Sequence, residues 1–321
     1  MSADARVQKY IDQSRMLANK ARKRFRHLHK RFARQQIDVF RLYDWDIPEI
    51  RATVDWYAGH LVIGEYTRKQ STPDWLPMMG KAVAEALMVP VDKIHLKTRF
   101  YGKADGKRYE RLDYTDRSIV VRERDLRFHV NLWDYVDTGL FSDHRNTRQM
   151  VREMAAGKDV LNLFCYSGSF SCSAAKGGAH RTLSVDRSRT AIAWARRNME
   201  LNGIPDTNNR LVQAHAFDYL AEALRNKERF DLAVVDPPSF YTRRSRKDGF
   251  DILEDHPGLL SAVAALMRSG GVIIFSTNHQ DFKLDTKRLA FTSIKEITTR
   301  TIPEDYVNKR KTIHRCWEVI L

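Results

Sequence analysis

Several features that would assign this sequence to a common class are missing from it. No run of about 18 apolar residues occurs, so we expect no membrane-spanning helix, and the charged N-terminus lacks the apolar segment of a secretory signal. The three cysteines, Cys165, Cys172 and Cys316, form no C-x-x-C pair, which argues against a disulfide framework or a zinc site. The histidines have no metal-ligand spacing. We therefore expect a cytoplasmic protein without a bound metal or a membrane partner.

Positive charge is abundant. The 321 residues include 55 Lys and Arg against 40 Asp and Glu, so the formal net charge is +15, in a composition that is otherwise typical of a globular protein. Enzymes of small metabolites rarely need such an excess. The balance favours a polyanionic partner.

Much of this charge lies at the N-terminus. Residues 1–34 carry eleven Lys and Arg and two Asp, and apolar or small residues recur there in steps of four and three, which predicts one long helix with a thin apolar seam over residues 1–37. The seam consists of Val7, Ile11, Ser14, Ala18, Ala21, Phe25, Leu28 and Phe32. Three interpretations compete: a helix that binds nucleic acid, a helix on a membrane surface, and a packed helix with a solvated face. The first is favoured, with Arg22, Lys23, Arg26 and Lys30 as RNA contacts, because the seam is weak and lacks Trp.

The rest of the chain divides by its pattern. Residues 38–135 contain short strands with turn signals and one helix, which predicts a small α+β domain that binds RNA. From residue 136 onward, apolar runs alternate with helical stretches, which indicates βαβ units and a buried parallel sheet, with two final strands that pair antiparallel. The predicted elements are strands 38–43, 52–57, 61–66, 93–99, 118–122, 127–132, 160–164, 182–185, 210–214, 232–235, 272–276, 294–299 and 315–321, and helices 76–87, 190–202 and 259–267.

A glycine turn and an acid point to a nucleoside ligand. Gly168 follows the first strand of this sheet and permits a tight turn, and Asp186 ends the second strand, where it can accept hydrogen bonds from both ribose hydroxyls. Neither G-x-G-x-x-G nor a P-loop motif is present, so the ligand needs no pyrophosphate cradle. S-adenosylmethionine fits that description.

The strongest local signal follows the fourth strand of the sheet. Asp236 is followed by Pro237 and Pro238, which form a rigid turn with carbonyl groups that no helix uses, and by Phe240, which can stack on a base. The carboxyl ends of strands are where α/β sheets bind ligands. We therefore predict that these four residues are catalytic. A basic loop follows directly, and its Arg243, Arg244, Arg246 and Lys247 are predicted phosphate contacts.

Here the sequence resembles the class I S-adenosylmethionine-dependent RNA methyltransferases, and most of all the family formed by the C-terminal half of the fused bacterial 23S rRNA guanine methyltransferases. The resemblance is carried by Arg22–Arg34, Tyr43–Pro48, Tyr135–Arg145, Asn162–Ser171, Val185–Ser188, Asp236–Phe240 and Phe275–Asn278. It implies a Rossmann-like seven-stranded methyltransferase domain with an antiparallel final strand pair, preceded by the small α+β domain and the basic helix. It also implies N7 methylation of a guanine in 23S rRNA, free or in a ribosomal precursor particle.

The resemblance implies a set of cofactor contacts. Phe164 to Gly168 would line the methionine end, Asp186 would hold the ribose, and Asp143 and Arg145 would lie across the cofactor, with Arg145 near its carboxylate. The full predicted set is Asp143, Arg145, Phe164, Tyr166, Ser167, Gly168, Asp186, Arg187, His215, Ala216, Phe217 and Asp236. The family usually has an Asp where this chain has His215, so the adenine contact falls to His215 or Asp218.

The position of the cysteines separates two chemistries. Related cytosine-C5 enzymes place a nucleophilic Cys after the fifth strand, where this chain has Ser276-Thr277-Asn278. Guanine N7 needs no covalent step and no general base, because its lone pair attacks the methyl group directly. Methylation of another base, and a non-catalytic role in ribosome assembly, remain alternatives. The fused relatives carry a second methyltransferase half, so a separate methyltransferase or helicase is an expected partner.

Overall fold

The computed structural model describes residues 3–67, 72–99, 111–241, 249–286, 291–308 and 311–321. They form two compact units, Met1–Thr138 and Gly139–Leu321. The helix that the sequence predicts as a separate arm belongs to the first unit, together with the small α+β domain; the exact domain limits stay predictions. Within the ranges given above, no helix is both long and apolar enough to cross a membrane.

The first unit is built on a four-stranded sheet in the order β1-β2-β3-β4, in which only β4 runs parallel to its neighbour. A separate hairpin, β5-β6, completes the unit. Its elements are α1 (Ala3–Arg34), β1 (Val39–Asp44), β2 (Ala52–Tyr57), β3 (His60–Tyr66), α2 (Trp75–Leu87), β4 (Ile94–Arg99), β5 (Ile119–Glu123) and β6 (Leu126–Val130). The predicted strands and the second helix lie within two residues of the observed ones, and the first helix, predicted over residues 1–37, ends at Arg34.

Helix α1 packs against α2 through a face that differs from the predicted seam at its N-terminal end. Ser14 and the later seam residues are buried, apart from Phe25, which is half-buried, whereas Val7 and Ile11 are exposed. Gln13 is buried in their place and accepts a hydrogen bond from Trp75 Nε1 at 2.8 Å. A straight helix has 3.6 residues per turn, so a seam drawn at steps of four and three drifts off the contact face over several turns.

The second unit contains a seven-stranded sheet in the order β14-β15-β13-β10-β7-β8-β9. Strands β7, β8, β9, β10 and β13 are parallel, and β15 runs antiparallel to both β13 and β14. The elements are α3 (Arg145–Met154), β7 (Asp159–Leu163), α4 (Ser169–Lys176), β8 (Arg181–Asp186), α5 (Arg189–Leu201), β9 (Asn209–Gln213), α6 (Ala216–Arg225), β10 (Phe230–Val235), β11 (Phe240–Tyr241), β12 (Phe250–Asp251), α7 (Ile252–Ala264), β13 (Met267–Thr277), β14 (Ser293–Glu296), α8 (Thr298–Thr301) and β15 (Arg315–Ile320). The predicted fold class is confirmed.

The central strands are mostly buried because both faces of the sheet are covered, and apolar residues fill most of their interior positions. Leu161, Leu183, Ala233 and Ile273 are fully buried in β7, β8, β10 and β13. One helix begins earlier than predicted: α7 begins at Ile252 rather than near residue 259, because the Asp251 side chain accepts a hydrogen bond from Leu253 N and caps it. The parallel arrangement brings the carboxyl ends of five strands to one edge, and most of the predicted site residues follow those ends.

Candidate active site

The loop after β7 has an unusual backbone. Phe164, Tyr166 and Gly168 adopt left-handed conformations, with φ of 57°, 47° and 74°. Only glycine enters this region without strain, so the two aromatic residues are held there by their surroundings. A side chain at position 168 would lie 2.8 Å from Cβ of Ala195, which also requires glycine. The predicted glycine turn is therefore present, and it is more tightly constrained than its sequence suggests.

Neighbouring elements hold this loop by hydrogen bonds. Ser167 is buried, its hydroxyl donates to the Gly139 carbonyl, and its own carbonyl accepts from Asn198 Nδ2 at 2.9 Å. Cys165 N donates to the carbonyl of Val185, which ties the loop to β8. The loop is thus preorganised for a ligand, with its backbone at the edge of the sheet.

Asp186 at the end of β8 accepts two backbone hydrogen bonds. Tyr166 N donates to Oδ2 at 3.0 Å and Ser188 N donates to Oδ1 at 2.8 Å. Burial raises the pKa of this carboxyl, although the two backbone donors act in the opposite direction. Each oxygen keeps a second lone pair, so the carboxylate can still accept from two vicinal hydroxyls. Arg187 beside it is exposed.

His215 and Phe217 begin helix α6 after β9. Their rings lie 6.0 Å apart and almost parallel, both half-buried, with Ala216 buried between them in the sequence. Ala214 N donates to the carbonyl of Asp186 and ties this segment to β8. Asp218, the other predicted adenine contact, is exposed in the first turn of the helix. The flat, half-buried pair of rings suits a planar heterocycle.

Together these loops fit a nucleoside cofactor such as S-adenosylmethionine. Asp186 suits the ribose, the His215 and Phe217 rings suit the adenine, and the Phe164–Gly168 loop suits the methionine end. The assignment of individual contacts stays a prediction. What supports it is a carboxylate held by backbone donors next to a loop that only glycine can complete.

The turn after β10 is held by hydroxyl groups. Ser276 Oγ donates to Asp236 Oδ1 at 2.7 Å, and the Asp236 side chain is 28% exposed. Pro237 is buried, Pro238 is half-buried, and Ser239 Oγ donates to Asn278 Oδ1 at 2.5 Å. The backbone of Phe240 pairs with Asp251 in the small β11-β12 ladder. The predicted stacking by the Phe240 side chain, and the predicted contacts of Arg243, Arg244, Arg246 and Lys247, lie outside the described residues.

Arg145, the first residue of α3, has a partner in the structure other than the predicted one. Its guanidinium donates to both carboxylate oxygens of Asp305, at 3.0 and 3.2 Å, and both side chains are buried. A buried guanidinium in a two-point ion pair is committed to that partner. The contact of Arg145 with a cofactor carboxylate stays a prediction, and the structure gives the residue an anchoring role at the start of α3.

Asp143 belongs to a buried cluster that sequence reasoning missed. His314 Nδ1 lies 3.1 Å from Asp143 Oδ2, and the His314 and His144 rings stack with centroids 4.1 Å apart at 10°. His144 Nε2 lies 3.8 Å from Asp143 Oδ2 and 3.6 Å from Asp236 Oδ2. The only sequence signal was the polar segment Ser142-Asp143-His144-Arg145, because His314 lies far away in the chain.

The donor atoms of this cluster, Asp143, His144 and His314, lie within 4.8 Å of one another, as in many metal sites. The ring geometry does not suit a metal. A nitrogen lone pair lies in the plane of its ring, and two stacked, nearly parallel rings cannot aim their lone pairs at one point between them. Both nitrogens of His314 also have hydrogen-bond partners, Asp143 and Thr301. We therefore assign the cluster to a hydrogen-bond network.

Phe141 is another residue that the sequence pattern did not single out. It is 45% exposed, and its ring centroid lies 5.3 Å from that of Tyr166 in the loop after β7. Arg148 Nη1 donates to its carbonyl at 2.9 Å and holds its backbone. A fixed, exposed aromatic ring beside the glycine turn offers a flat surface to a ligand.

The cysteines are not placed for nucleophilic chemistry. Cys165, Cys172 and Cys316 are all buried, and burial raises the pKa of each thiol, to about 12 for Cys172. A thiolate is the reactive form, so these groups are inert near neutral pH.

In the first unit, helix α1 presents the predicted basic face to solvent. Arg22, Lys23, Arg26 and Lys30 are all exposed, and the first three border a shallow depression together with Asn19 and His27. Arg22 donates to Asn19 Oδ1. None of the four basic residues forms an ion pair with an acid in the part of the chain that the structure describes.

Comparison with known proteins agrees with this geometry. The model of the S-adenosylmethionine-dependent methyltransferase family matches residues 48–306. The chain is 41% identical over 307 residues to ribosomal RNA large subunit methyltransferase K of Neisseria meningitidis serogroup B, covering 94% of this chain and 86% of that protein. It is 40% identical to ribosomal RNA large subunit methyltransferase K/L of Shewanella loihica, of which it spans only 42%.

Solved structures show the same fold. A methyltransferase crystallised with SAH superposes with a TM-score of 0.77 at 24% identity, covering 97% of this chain and 82% of the other. A SAM-dependent methyltransferase from Streptococcus mutans gives 0.74 at 22% identity, covering 97% and 81%. The matched family uses S-adenosylmethionine, and the strand-end residues described above fit this cofactor. The chain belongs to the S-adenosylmethionine-dependent methyltransferase family.

Proposed function

We propose that this protein transfers a methyl group from S-adenosylmethionine to N7 of a guanine in 23S rRNA, free or in a ribosomal precursor particle in the cytoplasm. The substrate class rests on the two relatives named as ribosomal RNA large subunit methyltransferases. The choice of N7 rests on one observation: an Asp-Pro-Pro turn whose carboxylate accepts from a neutral serine hydroxyl and, among the described residues, forms no ion pair with Lys or Arg, in a site without a reactive thiol.

S-adenosylmethionine, when bound, supplies a methyl group on a positively charged sulfur. The protein's task is to align guanine N7 with that methyl group, because N7 has a lone pair and loses no proton on methylation. The purine becomes cationic as the bond forms. The Asp236 carboxylate and the carbonyls of Pro237 and Pro238 are acceptors that stabilise this charge.

A carboxylate with this role is best held by hydrogen-bond donors that carry no charge. Ser276 Oγ orients Asp236 Oδ1 without neutralising its charge, whereas a Lys or Arg partner would cancel the charge before the substrate arrives. No such ion pair with Asp236 occurs among the described residues. The 28% exposure of the side chain leaves an edge of the carboxylate open to a ligand.

The burial of the cysteines weighs against cytosine C5 as the target. That reaction needs a thiolate that attacks C6, and the end of β13 offers Ser276 and Asn278, both already hydrogen-bonded to the Asp236 turn. Phe141 supplies a stacking surface for the target base on the side of the glycine turn, and the exposed cations of α1 supply phosphate contacts.

The decisive experiment is mass mapping of 23S rRNA nucleosides from cells with and without the gene. We expect one 7-methylguanosine to disappear on deletion and to return with the wild-type protein but not with Asp236→Asn. Loss of 5-methylcytidine instead would identify the cytosine chemistry. An unchanged nucleoside profile together with a defect in ribosome assembly would identify a non-catalytic factor.

A further inference from the structure

A buried histidine lies directly behind the catalytic turn. His144 is 5% exposed, and its Nε2 faces two carboxylate oxygens, Asp236 Oδ2 at 3.6 Å and Asp143 Oδ2 at 3.8 Å. Both distances exceed normal hydrogen-bond length, so the nitrogen is close to both carboxylates and hydrogen-bonded to neither in this state. Direct transfer to N7 leaves no proton for this histidine to accept.

The surroundings of His144 indicate which nitrogen carries the proton. Nδ1 lies 3.3 Å from Thr147 Oγ1, a hydroxyl that can donate to it, while the polar neighbours of Nε2 within the described residues are two carboxylate oxygens. A proton on Nε2 therefore places an N–H between two carboxylates, whereas a bare Nε2 would place a lone pair against them. The ring stacks on His314 and contacts the edge of Phe170, which fixes its orientation.

The charges that face His144 come from several elements. The titratable and charged groups that influence His144 are Asp236, Asp143, His314 and Arg148. Burial is the largest influence on the pKa of His144 and lowers it, His314 and Arg148 lower it further, and the two carboxylates raise it. His144 is therefore neutral at pH 7, and it supplies a dipole to Asp236 and not a charge.

The geometry points to His144 as a positioning residue whose Nε2–H orients the Asp236 carboxylate toward the reacting base. The stacked ring of His314 and the neighbouring Asp143 hold the His144 ring in place. This inference rests on the proposed role of Asp236 in methyl transfer. Catalytic hydrogen bonds are often long in ligand-free structures, so we expect the Nε2–Asp236 distance to shorten when substrate binds.

The role predicts which substitutions are tolerated. Gln places an amide Nε2 near the position of the imidazole Nε2, so His144→Gln keeps a donor that cannot be protonated. His144→Phe keeps the stacking on His314 and removes the donor. We expect kcat to fall about tenfold in the Phe variant, as for loss of one hydrogen-bond donor, and to fall less than threefold in the Gln variant. KM for RNA and S-adenosylmethionine affinity should stay unchanged in both.

The pH profile separates this role from a merely structural one. Protonation of His144 in acid would oppose the negative field of Asp236, so wild-type kcat should fall as the pH drops through the lowered pKa of His144. His144→Gln should lack that inflection. His256→Gln is the matched control: this buried histidine in α7 donates to the Ile252 carbonyl through Nδ1 and accepts from Asp285 N through Nε2. The control should keep the wild-type pH profile.

A second measurement does not depend on activity. In a ¹⁵N NMR spectrum of the wild-type protein at pH 7, His144 should show a protonated Nε2 and a bare Nδ1, assigned by the loss of its signals in His144→Gln. The opposite tautomer, or an imidazolium, would refute the inference. So would a Gln variant that loses activity as completely as Asp236→Asn with unchanged thermal stability, since that result would make His144 a proton acceptor. Inactive wild-type protein would count against the proposed function alone.

Discussion

In the seven-stranded sheet, aspartates at the amino ends of the strands and aspartates at the carboxyl ends have different kinds of partner. At the amino ends of the strands, Asp159 and Asp231 are bound by cations: Arg268 donates to both, at 2.8 and 2.7 Å, and Arg181 lies 3.3 Å from Asp159. At the carboxyl ends, Asp186 and Asp236 are held by backbone N–H groups and a serine hydroxyl. Among the described residues, neither of these two forms an ion pair with Lys or Arg.

This difference separates stability from function. A carboxylate that is paired with a protein cation attracts a ligand only weakly, because the cation cancels its charge. A carboxylate oriented by neutral donors keeps its full negative charge. The ligands expected at the carboxyl edge carry hydroxyls or develop positive charge. The following substitutions break the contrast at one edge or the other.

The largest effect is expected from Asp236→Asn. The amide can still accept from Ser276 Oγ, so the turn should remain folded while the charge is lost. We expect methyl transfer to fall by about 10²–10³-fold, as for other single electrostatic groups in active sites. Single-turnover methylation of rRNA measures this, with S-adenosylmethionine affinity and thermal stability as controls. Activity within threefold of wild type would remove Asp236 from the mechanism.

Next comes reversal of the unpaired cations of α1. Arg22, Lys23, Arg26 and Lys30 changed together to Glu should weaken RNA binding. The slope of log affinity against log salt should fall by up to about three units, because fewer phosphates are then neutralised and fewer counterions are released. Filter binding between 50 and 200 mM salt, taken as about the range where this effect is large, measures it.

The matched control reverses four exposed cations of the second unit, Arg196, Arg197, Arg225 and Lys227. It changes the net charge equally and should leave the salt slope close to that of wild type. If both sets lowered the salt slope equally, α1 would contribute only through the net charge of the protein and not through phosphate contacts of its own. The apolar face of α1 is intact in both variants.

A smaller effect is expected from Asp186→Ala. Loss of the carboxylate should weaken S-adenosylmethionine binding by about 1.5–3 kcal/mol, the usual worth of hydrogen bonds to a charged group. Isothermal calorimetry gives the affinity directly. Asp231→Ala, at the other edge of the sheet, should leave this affinity unchanged, and a wild-type protein that binds no cofactor would contradict the site as a whole.

Arg268→Gln tests whether the ion pairs at the amino ends of the strands stabilise the fold. Burial would raise the pKa of Asp159, but hydrogen bonds from His180 and Arg268 and the nearby Arg181 lower it below its ordinary value. The ionised pair therefore stabilises the fold above about pH 4, the unfolded value, and this stabilisation is lost as the pH falls.

Because Arg268 is 44% exposed, solvent screens the pair, and we expect a loss of about 1 kcal/mol at pH 7. Urea unfolding at pH 7 and in acid measures it. The difference from wild type should shrink in acid, while Arg196→Gln, on an exposed face of α5, should show no pH-dependent loss. A difference that grew in acid would reverse the assignment.

The smallest effect on activity is expected from replacing Cys165, Cys172 and Cys316 together by Ala. Their thiols are protonated near neutral pH, so methyl transfer should remain within about twofold of wild type once the packing loss is allowed for. RNA containing 5-fluorocytosine should form no covalent adduct with the wild-type protein. A trapped adduct would favour the cytosine reaction.

Local signals predicted much of this molecule. The parallel strands were readable as apolar runs, and Asp186 and Asp236 were readable because they immediately follow such runs, where a parallel sheet collects its ligand groups. The antiparallel final pair was readable because no helix long enough for a parallel crossover separates the two strands. These inferences need only short-range pattern and topology.

The contacts that complete the site depend on long-range packing. His314 meets Asp143 across 171 residues, and Arg145 meets Asp305 across 160 residues. Neither pair has a sequence spacing that indicates contact, so the sequence predicts neither the partner of His314 nor the ion pair of Arg145 with Asp305. The N-terminal end of the α1 seam was misplaced for a related reason, since the contact face depends on where α2 lies.

Gly139 carries a consequence for reading mutational data. A side chain there would come within 2.1 Å of the Trp194 ring, and the Gly139 carbonyl accepts the hydroxyl of Ser167 in the loop after β7. Almost any replacement must push on that loop. In a survey of variants scored by activity, substitutions at Gly139 would be as damaging as substitutions at the cofactor contacts. Gly139 would act indirectly, because it packs against Trp194 and holds Ser167.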